Sequence, residues 1–399
     1  MQENSSDSQA PLLERVEQAT ESLQAYVEGE NYAGYDPYDA LNSPLLRFVS
    51  LGLKWPRIAV TQTVKHFPIN LRPLLLVKKG HNPKGLGLFL WSYAKLYKAT
   101  GDEAYREKAS KIFDLLEGVR SKGYNGHAWG YNFNWQSRAF YVPKGTPTIV
   151  NTSFIGHALL DAYEAFGEER YLKHALPIRD FFLKDLNRTQ FGDTFCFSYT
   201  PIDELIVHNA NLLGASVLIR LNGYEAHADS EAAALASLGY SMSCQREDGS
   251  WWYADTDYQQ WIDSFHTGFN LQCIRYFLDL GKATEFQQAY DRGVKYYAET
   301  FFLEDGTAKY FHDRTLPEDI HSYAQAIVFF STMGEDYQGL TTRVAEKMLR
   351  DFRSPKGYFY FQKRKGKPIS IPYMRWAQSW AFHGLTEYVL AAQQKDSER

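Results

Sequence analysis

The chain has 399 residues, 44% of them hydrophobic and 23% charged, which is enough for a large buried core. Its net charge of −4 gives no general attraction to nucleic acid, so no nucleic-acid partner is expected. No run of eighteen uncharged apolar residues occurs, which argues against a helical membrane span, and the widely spaced Cys196, Cys244 and Cys273 form neither a metal motif nor a disulfide framework.

The first ten residues are polar and lack the apolar stretch of a secretory signal. With the cysteines unpaired, a cytoplasmic location is the expectation. Flexible tails are expected over 1–10 and 393–399, with one domain over 11–392 between them. Residues 12–26 read as an amphipathic helix. Residues 35–76 carry Pro37, Pro44, Pro56, Pro68 and Pro73, which break helices, so a lid or rim segment is expected there.

From Pro83 onward the chain repeats with a period of roughly 55–60 residues, the mark of a stacked or circular repeat architecture. An aliphatic–polar pair opens each helical segment: Val150-Asn151, Val207-His208, Ile262-Asp263, Ile320-His321 and Met374-Arg375. A glycine ends it: Gly101, Gly167, Gly223, Gly281 and Gly334. A second glycine then precedes one or two aromatics, as in Gly126 with Trp129 and Tyr131, Gly192 with Phe195 and Phe197, Gly249 with Trp251 and Tyr253, Gly306 with Tyr310, and Gly357 with Phe359 and Phe361.

The first helix of each repeat is apolar nearly all round and reads as inner and buried. Six such segments begin near Pro83, Asn151, His208, Asp263, His321 and Arg375. More charged outer helices are predicted over 103–120, 168–184, 230–243, 285–297 and 341–352, with 12–26 supplying the sixth. The expected fold is all-α, an (α/α)6 toroid of six helical hairpins with short β-like rim loops.

Inner helices of a toroid aim their N-termini at one mouth. Residues three and four apart share a helix face, so Asn151, His208, Asn211, Asp263, His266, His321, Arg375 and Gln378 are expected to converge. Helix capping accounts for Asn151 or Asp263 taken singly, but the whole set points to a cleft. Asp263 and His266 lie one turn apart, so the carboxylate can orient the imidazole for general acid–base work. In the loop after Gly126, Trp129, Tyr131 and Trp135 have faces suited to sugar rings, and Arg138 suits a carboxylate; a packed rim is the competing reading. Trp252 joins the stacking candidates. A glycosidase needs two carboxyl groups, and Asp203 or Glu204 opposite Asp263 is the pair nominated, with Asp255 and Asp257 in reserve. No His-Glu-x-x-His, phosphate loop, nucleophile elbow or dinucleotide fingerprint occurs, so no metal and no cofactor is expected.

The repeat and its polar positions resemble the six-hairpin glycosidase superfamily. The nearer resemblance is to bacterial proteins associated with exopolysaccharide and lipopolysaccharide biosynthesis. It is carried by Tyr35-Asp36-Pro37-Tyr38-Asp39, Trp129-Gly130-Tyr131, Trp135-Gln136-Ser137-Arg138, His208-Asn209-Ala210-Asn211 and Asp263 with Phe265-His266-Thr267-Gly268, and it spans about Tyr35 to Tyr388. It implies the toroid and a saccharide context. The superfamily also holds lyases and epimerases. Glycoside hydrolysis is the first expectation. A polyuronide lyase or epimerase is the second, with Arg138 or Arg375 neutralising a uronate and Tyr131, His266 or His321 moving the C5 proton. A non-catalytic saccharide binder is the third.

Overall fold

A computed structural model describes residues 10–138, 140–365 and 368–397. In chain order its helices are α1 (Leu12–Gly29), α2 (Pro44–Val49), α3 (Lys54–His66), α4 (Pro83–Thr100), α5 (Glu103–Gly118), α6 (Ile149–Phe166), α7 (Glu169–Ala175) and α8 (Ile178–Lys184). There follow α9 (His208–Tyr224), α10 (Ala228–Ser243), α11 (Ser264–Asp279), α12 (Gln287–Phe301), α13 (Ile320–Phe330), α14 (Gln338–Phe352) and α15 (Ser379–Ser397), the last entered through a π-helical turn, Met374–Gln378.

Helices α4, α6, α9, α11, α13 and α15 pack side by side in that order, and α15 packs back on α4 to close the ring. Small and apolar residues crowd every face of these helices, so all eleven residues of α13 are buried. The outer layer is α5, α7 with α8, α10, α12, α14 and α1, each against its inner partner. The fold is the (α/α)6 toroid. Its strands form two short rim pairs and one three-stranded ribbon, the longest pairing being Arg188–Phe191 with Thr194–Phe197.

The second glycine of each repeat has a steric reason. A Cβ on Gly126 would stand 2.0 Å from the Pro177 carbonyl oxygen, and one on Gly249 2.5 Å from that of Arg292. Gly306 would meet Arg343 O at 2.2 Å, and Gly357 would meet Ser22 O at 2.8 Å. Each loop thus presses on the backbone of the next outer helix. Gly357 presses on α1, which shows the N-terminal helix to be the sixth outer helix. Gly192 differs, having open space around it. Gly306→Ala combines this clash with a φ of +83° and should cost about 2–3 kcal/mol in urea unfolding. Gly192→Ala, strained only by its φ of +62°, should cost about 1 kcal/mol.

Some boundaries differ from the sequence reading. The outer helix predicted over 168–184 is broken at Pro177 into α7 and α8. Gly223 lies inside α9, which ends at Tyr224. Helix α15 continues through Ser397, where a tail was expected. Residues 1–9, 398 and 399, most of the other expected tail positions, lie outside the described residues. The pair Ile262-Asp263 and Ile320-His321 is out of register by two. Asp263 caps α11, whereas Asp319 caps α13 and His321 lies inside the helix. The same aliphatic–polar pattern recurs on either side of a cap, so the local match could not fix the register.

The segment 35–76 forms a 3-10 turn (Asp39–Asn42), α2 and α3, and it is pinned to the ring by one buried ion pair and by a hydrogen bond from a second, internal one. Arg375 holds Asp36 bidentately, Nε to Oδ2 at 2.5 Å and Nη2 to Oδ1 at 2.8 Å. Arg72, fully buried, donates to Asp39 at 2.6 Å and to the Tyr373 hydroxyl at 2.9 Å. The Tyr35-to-Asp39 motif is therefore the clasp between this segment and the last inner helix.

Candidate active site

A cavity of about 690 Å³ opens at the N-terminal end of the inner ring. Its floor comes from first turns: Lys84 of α4, Val150 of α6, Asn209 of α9, Phe265 and His266 of α11, His321 of α13 and Arg375 of the π-turn. Its walls are aromatic, with Tyr131, Trp135, Tyr199, Tyr253, Trp261 and Tyr310 from the rim loops. Tyr38, Ile58 and Gln62 of the 35–76 segment complete one side.

Asp263 both caps α11 and orients a histidine. Its Oδ1 accepts the His266 backbone N–H at 3.0 Å. Its Oδ2 accepts His266 Nδ1 at 2.7 Å and Trp261 Nε1 at 2.9 Å. A carboxylate only accepts, so Nδ1 carries a proton and Nε2 is the nitrogen that can exchange one with a substrate. The Asp263 side chain is 1% exposed and that of His266 22%, which places the base, but not its orienting group, at the cavity surface. The Tyr253 ring packs on His266 at 4.7 Å and stacks on Trp261 at 4.5 Å, holding the imidazole from its other side.

His321 is buried, stacked on Phe265 at 4.2 Å and packed on Trp380 at 4.1 Å. Neither of its ring nitrogens has a protein partner. Burial, and then the charges of Lys84, His266 and Arg375, hold its pKa well below 6.5. A neutral imidazole offers one donor and one acceptor, as a sugar hydroxyl does. Lys84 Nζ sits 4.0 Å from the Phe154 ring centroid and 5.2 Å from that of Trp380. Burial and then the Arg375 charge push its pKa well down, while the ring faces favour the ammonium.

The cavity thus gathers Tyr131, Trp135, Arg138, His266, His321 and Arg375 of the residues nominated from sequence. Tyr131 hydrogen-bonds Tyr199 hydroxyl to hydroxyl at 3.2 Å, and Arg138 is exposed at the rim. Asp263 lies directly behind His266. The other nominated residues are turned elsewhere. Asp203 closes its own turn, accepting from Tyr199 N, Thr200 N and Leu205 N. Glu204 is exposed and does not line the cavity. Trp129 is a core residue whose Nε1 donates to Leu116 O at 2.9 Å. Asn211 accepts from Phe197 N, and Gln378 accepts from Phe359 N; both at 2.8 Å, they tie inner helices to rim backbone. Asn151 is buried without a side-chain partner, and Thr148, not Asn151, caps α6. Trp252 lies under the Arg246 guanidinium at 4.5 Å. For Asn151, Asn211 and Gln378 the reason is geometric. A polar residue in a first helical turn can face the axis or the neighbouring loop, and each step round the helix turns it by about 100°.

His208 bonds Asp255 Oδ1 through Nε2 at 2.9 Å, beside the cavity and not in it. With Cys244 these residues offer three ligand-type atoms within 4.8 Å of one another, the one such group among the described residues. Tyr240 also donates to Asp255, so hydrogen bonds already account for this carboxylate.

Sequence reasoning missed Lys84, Phe269, Tyr253 and Tyr310 as cavity residues. Lys84 left one signal, a lone charge in the otherwise uncharged first three turns of its inner helix. Tyr253 and Tyr310 were noticed only as repeat markers.

Three buried histidines also shape the acid response. His321 is one. His157 is stacked between Trp91 and Tyr276, and His383 packs on Trp91. Burial lowers the pKa of all three well below 6.5. The unfolded chain takes up a proton at each near pH 6.5 and the folded chain does not. Stability is therefore full above that pH and falls below it, by about 1.4 kcal/mol per pH unit per histidine. Asp39 and Asp319, pushed up to about 6 chiefly by burial, bind protons in the folded state and oppose the loss between about pH 4 and 6. Urea midpoints should fall most steeply just below pH 6.5 and flatten beneath pH 6.

No family model matches the chain, and no curated protein does. Solved structures match its fold. A GH76 α-mannanase from Bacteroides thetaiotaomicron superposes with a TM-score of 0.61 at 12% identity, over 81% of this chain and 89% of its own. A cellobiose 2-epimerase from Bacillus thermoamylovorans gives 0.60 at 12%, over 77% and 87%. A sugar epimerase from a ruminal bacterium gives 0.59 at 14%, also over 77% and 87%. The chain therefore has the six-hairpin toroid fold of these proteins.

Proposed function

We propose that the protein is a carbohydrate-active enzyme that moves a proton on a sugar carbon, in the manner of an epimerase or lyase. The observation that carries this is the Asp263–His266 pair, with Nε2 free at the surface of an aromatic cavity. The cavity wall supports the same reading. Among the described residues that line it there is no aspartate or glutamate, while Arg138 and Arg314 bring positive charge at its exposed rim. Two-carboxylate hydrolysis needs an acid and a base flanking the bond, and Asp203 and Glu204 are turned away. In the proposed step, His266 Nε2 removes the proton from a carbon next to a carbonyl or carboxylate. The electron pair moves onto that group's oxygen, and the cationic rim favours the resulting anion. Return of a proton from solvent to the opposite face, while protonated His266 releases its own to solvent, gives an epimer. Loss of a β-oxygen substituent gives an unsaturated product instead. The fold neighbours agree with a saccharide substrate, since those named above include a mannanase and two epimerases.

The test is a product-class assay on aldoses, disaccharides and uronides. An epimer on chromatography or an ultraviolet-absorbing unsaturated end is expected. New reducing ends without either product would refute the proposal.

A further inference from the structure

Helix α2 has no buried residue, although its sequence, Pro44–Val49, is mostly apolar. Phe48 is 79% exposed, Leu51 73% and Trp55 68%, and Leu45, Val49 and Leu53 are exposed around the same turn. Apolar side chains of this size seldom stand together in water unless something covers them. The turn is also strained. Leu51 has a φ of +50°, a left-handed backbone unfavourable for a leucine, and its side chain points into solvent.

Charge identifies what covers this tip. No acidic residue occurs between Asp39 and Asp102. Arg47 and Lys54 are exposed among the apolar side chains, and Lys54 Nζ lies 5.5 Å from the Trp55 ring centroid. Tryptophan beside lysine, with leucine and phenylalanine ahead of them, is the composition of an interfacial lipid anchor. A second copy of this chain would bring Arg47 and Lys54 against their own kind. An anionic headgroup layer would pair with them while its acyl boundary takes up Phe48 and Leu51.

We infer that residues 45–55 form an interfacial anchor that docks the protein on an anionic lipid bilayer. The anchor lies beside the cavity, because α3 runs on from it and supplies Ile58 and Gln62 to the cavity wall. The inference does not depend on which reaction the cavity performs.

The test is co-sedimentation with phosphatidylcholine vesicles, with and without phosphatidylglycerol. The protein should pellet with the anionic vesicles, more weakly with the neutral ones, and less as salt rises. Phe48→Ser with Leu51→Ser should lower the partition coefficient at least tenfold, given roughly 25 cal/mol per Å² of apolar surface withdrawn from water. Arg47→Glu with Lys54→Glu should abolish the preference for the anionic vesicles. All four side chains are exposed, so the variants should melt like the parent, and a melting curve checks this. A parent protein that stays in the supernatant with anionic vesicles would overturn the inference. So would a serine variant that pellets as the parent does. A dimer seen by sedimentation velocity and lost in the serine variant, without vesicle binding, would assign the tip to self-association.

Discussion

Asp263→Asn should cut turnover by about 10²–10⁴-fold while lowering the melting temperature by no more than the loss of the Trp261 Nε1 bond to Oδ2 requires. Asparagine caps helices as well as aspartate does, so the first turn of α11 keeps its Oδ1 bond to the His266 N–H. What is lost is the negative charge at Oδ2, which faces His266 Nδ1 at 2.7 Å. Without it the imidazole is a weaker base and its tautomer is no longer set. His266→Ala should give a similar loss, because it removes the base itself. Were Asp263 only a cap, Asp263→Asn would be silent in activity. Were it only a packing residue, melting would fall beyond that limit along with activity. Steady-state rates and melting curves on the same preparations separate these outcomes.

The largest stability effect is expected at Asp36→Ala, about 3–5 kcal/mol in denaturant unfolding. Asp36 and Arg375 are each 3% exposed, and their bidentate pair joins the 35–76 segment to the last inner helix. Removing the carboxylate strands a buried guanidinium, whose desolvation cost is then unopposed. The Tyr131 and Trp376 rings, at 5.3 and 5.1 Å, soften that cost only partly. Replacing both partners, as Asp36→Leu with Arg375→Met, should recover part of the loss, because no unpaired charge is left behind. A double substitution no better than Asp36→Ala would show that the clasp acts through shape and not charge.

The toroid was legible in the sequence because closing a ring of hairpins imposes local demands in every turn of it. Gly306 and Gly357 recur because neighbouring backbones leave no room for a Cβ. Gly101 and Gly167 recur because the helices before them end in a left-handed residue. The site was legible only in part. His266 could be paired with Asp263 because both lie within one helical turn. Asn211 and Gln378 sit at similar positions on their helices yet turn to rim backbone, and no periodicity distinguishes the two directions. Asp203 looked like a catalytic acid, but three backbone N–H groups of its own loop claim it. The contacts between the 35–76 segment and the ring were hidden because Asp36 and Arg375 lie far apart in sequence. Their proximity follows from ring closure and from no local pattern.

Solvent hydrogen exchange tests the central claim most directly. Once the product assay has found a substrate, the reaction is run in heavy water and product or recovered substrate is examined by mass spectrometry and proton NMR. A base that removes a carbon-bound proton exposes the intermediate to solvent-derived protons. One deuterium on a sugar carbon is therefore expected, in the epimer or in the returned substrate, and Asp263→Asn should slow its appearance together with turnover. Turnover that releases new reducing ends and leaves every carbon-bound hydrogen unexchanged would contradict the account.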